Sequence, residues 1–242
     1  MSTAATPDRN ILQIFPAEAP TSIEDVIQRM QALDNALTVD DGLKWFNLLY
    51  LTVTQQVKNS PPQSGWHDPL WLTRLDIVFA GLYFKAVTDF IQGSPIASSW
   101  QALFEARRNQ GIDRIQFALA GMNAHINHDL SLALLDVDAE MHKGLGRDTP
   151  EHDDYEHVNG LLEAVLPQAL KFLATDVLGQ VAQDTGKIGR LLAIWNVRAA
   201  RDLAWDFAAH LQNLSGPVRE FALMSQDKLT GAIGRSLLIP IP

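Results

Sequence analysis

The chain has 242 residues, of which 47% are apolar and 19% charged, with a formal charge of −9 and no cysteine. That balance suits a folded chain with a substantial core and excludes a disordered one. The acidity argues against a nucleic-acid partner, and the lack of thiols excludes disulfides, iron–sulfur clusters, thiolate zinc sites and cysteine nucleophiles.

Residues 1–20 contain three prolines and read as an irregular segment. Thr21-Ser22-Ile23-Glu24 has the capping-box pattern and opens a helix towards Leu37. Asp40 or Asp41 caps a second helix, "GLKWFNLLYLTVTQQV", and the turn-rich "KNSPPQSGWH" after it should be exposed. Asp68-Pro69 pairs an N-cap with proline at the first helical position, starting a helix to about Ile91. "WQALFEARR" makes a short helix, and a longer one follows from about Ile112 to Leu135. Thr149 and Pro150 open the next, towards Leu178 with a possible kink at Pro167. A helix over Ile188–Leu214 and a last one from Val218 complete the chain, and residues 237–242 form an extended tail. There is no strand pattern and no linker, so the expectation is one all-α domain, a helical bundle over residues 21–236. No apolar run reaches the roughly 20 residues of a membrane span, and "MSTAATPDRNILQIF" does not read as a signal peptide. A cytoplasmic protein is expected.

Helical periodicity assigns each side chain a face. On Ile188–Leu214 the stripe Val197, Ala200, Ala204, Phe207 and Leu211 should be inward. Asp206 and His210, spaced like a ligand pair, belong to the solvated side. The stretch "FALAGMNAHINHDL" is different. It has no formally charged residue between Ile115 and His128, so it reads as a buried central helix. His125 and Asp129 lie on one side of it, with Gln116, Asn123 and Asn127 on roughly the other. Two further helices also turn a carboxylate inward. Asp76 shares its face with Leu72, Phe79, Ala80, Tyr83 and Val87, and Asp154 shares its own with Val158, Leu161, Leu162 and Val165.

Inward carboxylates repel one another or take up protons unless something compensates them. One reading is a structural polar network with Asn123, Asn127, Tyr50, Tyr83, Arg198 and Arg201 as donors. The other is a divalent metal held by His125, Asp129 and Asp154, with Asp76 as a further candidate; the nitrogen and oxygen donors suit Zn, Mn or Fe. On that reading a metal-dependent, hydrolase-like enzyme acts on a small lipophilic molecule. Asp76 or Asp154 then serves as general base, while Asn123, Asn127, Tyr83 and Trp195 meet the substrate. A metal-free cyclase or isomerase using Asp and His as acid and base is the first alternative, and a non-catalytic binding protein is the second. No phosphate-binding loop, dinucleotide fingerprint or nucleophile elbow is present, so no nucleotide or flavin cofactor is expected.

The segments "ALAGMNAHINHDL", "HDDYEHVN" and "LDIVFAGLYFKA" resemble a bacterial all-helical family of unknown function, a resemblance that covers about Ile23 to Leu214. Separately, "FALAGMNAHINHDL" is similar to the metal-binding helix of zinc-dependent phospholipases C. That likeness implies zinc ligation by His125 and Asp129, although "SLAL" replaces the proline and histidine expected next.

Overall fold

Capping side chains start the helices largely where the sequence places them. In the computed structural model, which describes residues 6–15, 18–173 and 196–240, Asp41 Oδ1 accepts from the Leu43 N–H and Asp68 Oδ1 from that of Trp71. They open α3 (Gly42–Asn59) and α4 (Pro69–Gln92), after α1 (Thr6–Ile14) and α2 (Ile23–Ala36). The cap of α2 is Ser22, bonded to the Asp25 N–H at 3.1 Å, one residue later than the expected Thr21 to Glu24 box. α5 (Ser98–Ala106) precedes the central helix, which consists of α6 (Arg114–Ala124), a π turn (His125–Asp129) and α7 (Leu130–Met141). Thr149 caps α8 (Pro150–Leu173), and α9 (Val197–Leu211) and α10 (Gly216–Leu237) follow. The described residues contain no strand, and the protein is all-α.

Four differences from the sequence reading have local causes. The N-terminal segment holds α1, because Ile11 and Phe15 find a buried place, Phe15 stacking on Phe84 at 4.8 Å. The central helix continues past Leu135 to Met141. Asn196 is extended and caps Val197, so the expected helix from Ile188 is interrupted there; residues 188–195 lie outside the described ones. The last helix runs through Leu237 because Gln116 Nε2 holds the carbonyls of Leu237 and Ile239, at 2.7 and 2.8 Å.

The central helix is enclosed as expected. Every residue from Ile115 to Ala124 is buried, and α3, α5 and α10 pack on α6, while α4 and α9 pack on α7. Close approach depends on glycine at two crossings. A Cβ on Gly121 would lie 2.2 Å from Phe46 of α3, and one on Gly231 of α10 would lie 2.5 Å from the Ser98 carbonyl oxygen of α5. On α9, Asp206 and His210 are exposed, Asp206 pairing with Arg147 at 2.6 Å. The buried face differs in part: Arg201, Trp205 and Ala208 are buried, whereas Ala200 and Phe207 are only half-buried. Each large side chain has a polar partner inside, Trp205 Nε1 on the Leu145 carbonyl and Arg201 on Asn159, which makes burial tolerable.

Candidate functional site

His125 and Asp129 bracket the π turn, in which the Leu130 N–H reaches back to the His125 carbonyl. Such turns interrupt α-helices often at functional positions. The two side chains meet: His125 Nδ1 and Asp129 Oδ2 are 3.0 Å apart, and both residues are buried. Trp100 Nε1, from α5, donates to the same oxygen at 3.0 Å. The imidazole stacks face to face on Phe79, with centroids 3.5 Å apart and planes within 5°, and Tyr50 meets it edge-on at 4.6 Å.

This enclosure sets the charge of the pair. Burial holds the Asp129 carboxyl well above the usual carboxylate range, against the Trp100 hydrogen bond that favours the anion. Burial, aided by the Arg201 charge, pushes the imidazole well below its ordinary value. Both shifts favour a pair without net charge, the Asp129 carboxyl protonated and the imidazole neutral. Nε2 is itself buried and has no hydrogen-bond partner among the described residues. A buried polar atom left unmatched costs roughly 1–3 kcal/mol and calls for an explanation.

His125 lines a cavity of about 80 Å³ between α3, α4, the central helix, α8 and α9. Its walls are mostly apolar, with Leu49, Met122, Val158 and Leu162 among them, and the polar side chains include Tyr50, Asp76 and Arg201. Asp76 is half-buried and lines the cavity. Burial raises its carboxyl to about 7, with Arg201 acting in the opposite sense. Arg201 is locked in place: its guanidinium lies 4.1 Å over the Tyr155 ring and bonds Asn159, while the Tyr155 hydroxyl donates to the Arg201 carbonyl at 2.7 Å.

The other expected site residues go elsewhere. Asp154 accepts the backbone N–H groups of His67 and Asp68 at 2.9 and 2.7 Å and lies 3.1 Å from His67 Nδ1, so it clamps the loop before α4. Asn123 donates to the Thr230 carbonyl and Asn127 to Asn123, which places both amides against α10. Tyr83 is buried beside the cavity, its hydroxyl directed to Asn47 at 3.4 Å. Trp195 lies outside the described residues. Asp154 is thus engaged away from His125 and Asp129, which do meet each other. Among the described residues no group of three or more His, Asp or Glu could hold a metal.

A family model, "Family of unknown function (DUF5995)", matches residues 23–240. The chain belongs to this family. No curated protein and no solved structure matches it. Among the described residues of this DUF5995 protein, no helix is long and apolar enough to cross a membrane. Its sequence marks Asp76, His125 and Asp129 and offers Tyr50 and Arg201 only as network donors; the structure puts both on the cavity wall. Trp100 carries no sequence signal, since its indole N–H matters only once α5 lies against the π turn.

Proposed function

We propose that this DUF5995 protein is an acid–base enzyme acting on a small, largely apolar molecule in the cavity, by proton transfer such as isomerisation. One observation carries the reading: His125, whose Nε2 has no partner among the described residues, lines the same cavity as Asp76, a carboxyl that titrates near neutrality. A group with a pKa near the working pH can serve as base in one step and acid in the next. Asp76 removes a proton from the substrate, and the neutral imidazole donates its Nε2 proton to an oxygen or carbon of it. Asp129 orients the ring, and the fixed Arg201 charge favours the anion that forms. A carboxylate base beside a neutral histidine donor is an arrangement known to promote enolisation. Asp76 then delivers its proton to a different carbon of the substrate and the imidazole recovers its own, so both groups are restored and the net change is an isomerisation.

The metal-dependent hydrolase reading retains Asp76 and His125, both residues of the cavity lining, as candidate ligands. It is less well supported. Asp129 Oδ2, a ligand in the phospholipase C likeness, is already paired with His125 and Trp100.

The test is deuterium uptake from heavy water by a panel of small apolar ketones, enols and alkenes. Wild type should label at least one of them, and Asp76→Asn and His125→Gln should each slow uptake by roughly 10²-fold or more. Binding without exchange would instead favour a non-catalytic binding protein. Exchange that depends on added Zn, Mn or Fe would favour the metal reading.

A further inference from the structure

A second, outer chamber of about 310 Å³ adjoins the cavity, and Thr54, Val57 and Asp76 line both. Thr54 and Val57 are one turn apart on α3, and Asp76 faces them from α4. These three small side chains therefore stand where the two chambers meet. The outer walls have another character: Thr21, Ser22, Glu24, Lys58, Trp66 and Thr73 contribute hydroxyls, an indole and an ion pair. Lys58 is the only cation among those lining residues, and Glu24 neutralises it at 2.7 Å. Among the described lining residues no cation is left to compensate an anion, and Asp76 and Glu24 both oppose one.

We propose that the two chambers are one site for an elongated neutral amphiphile, which enters from the outer chamber and threads its apolar end past Asp76. The chemistry at Asp76 rests on the acid–base reading above, whereas the binding mode does not. The size of the inner chamber sets the length of that end. A cavity of about 150 Å³ holds benzene, so one of about 80 Å³ takes an apolar group of roughly three or four carbons. The hydroxyl- or carbonyl-bearing remainder stays among the outer hydroxyls. This places the reacting bond at the junction, where Asp76 reaches it.

The probes are n-hexanol and hexanoate, titrated into the full chain by calorimetry and by NMR. Hexanol should bind and shift signals in both chambers, and hexanoate should bind at least about tenfold more weakly at about pH 8, where Asp76 is ionised. Val57→Phe should plug the junction and weaken hexanol by about tenfold or more. Thr73→Trp, at an exposed position where folding is not at risk, should also weaken it by narrowing the outer chamber. Hexanol binding indifferent to both variants would overturn the proposal, as would hexanoate binding as tightly as hexanol, or no binding of hexanol. The two readings fail separately. Asp76→Asn should keep hexanol binding and lose deuterium exchange; if it keeps both, the acid–base reading falls while the two-chamber site stands.

Discussion

The imidazole of His125 lies flat on the ring of Phe79, with centroids 3.5 Å apart and planes within 5°. The contact fixes the ring plane while Asp129 fixes its rotation, so the direction of Nε2 is set before any ligand arrives. Pre-orientation of this kind spares an enzyme the cost of ordering its donor during reaction. Phe79→Leu should remove the upfield ring-current shift of the His125 carbon-bound protons in NMR spectra. It should also cost roughly 1–3 kcal/mol in denaturant unfolding, as for other reductions of a buried ring. An unchanged histidine shift would show that the stack does not hold in solution.

Asp76 gives a pH dependence of definite sign. Its folded pKa of about 7 lies above the ordinary aspartate value of 3.8. Between those values the folded state binds a proton that the unfolded state does not. Its contribution to stability is therefore complete below the unfolded pKa and is lost as pH rises through the folded one. Asp76→Asn should remove this dependence and be more stable than wild type by roughly 1–3 kcal/mol at about pH 8. The difference should vanish near about pH 3, where both side chains are uncharged. Thermal melts across that range check it, and a variant less stable at high pH would contradict the burial of Asp76.

Asp154 acts as a clamp on the loop before α4, so its removal should disturb that loop and leave the dyad intact. Asp154→Ala leaves the His67 and Asp68 N–H groups without their carboxylate, at a cost of roughly 2–4 kcal/mol. Amide exchange should accelerate at His67 and Asp68, while the His125 signals stay in place. A shifted His125 signal without loop opening would return Asp154 to the site.

Gly121→Ala tests the crossing of α3 and α6. The added methyl would meet Phe46 at 2.2 Å, and Phe46 also packs edge-on against His125 at 5.7 Å. The substitution should cost roughly 1–3 kcal/mol through overpacking, and it should shift the His125 ring signals because Phe46 must move. A neutral effect on both would mean that the helices separate freely.

The all-α class was legible in the sequence, because helix signals are local. Asp41, Asp68, Thr149 and Pro150 act within one turn of their own positions, and the uncharged run before His128 marks a central helix whatever surrounds it. Asp76, His125 and Asp129 could be picked out for the same reason: each is a polar side chain on an otherwise apolar face. Their partners could not be. An inward carboxylate has the same sequence signature whether it meets a backbone N–H, an imidazole or a cavity, and so Asp154 looked like Asp76. Likewise, Asn123 and Asn127 needed the position of α10 before their role in bracing it could be seen. Arg201 and Trp205 are too polar at their tips for periodicity to place them inside, and their burial depends on Asn159, Tyr155 and the Leu145 carbonyl from other segments. The pairing of Trp100 with Asp129, and the cavity shared by His125 and Asp76, join residues far apart in the chain. Only the packing of α3, α4, α5, α8 and α9 around the π turn decides them, because burial and proximity belong to the assembled core and not to any one helix.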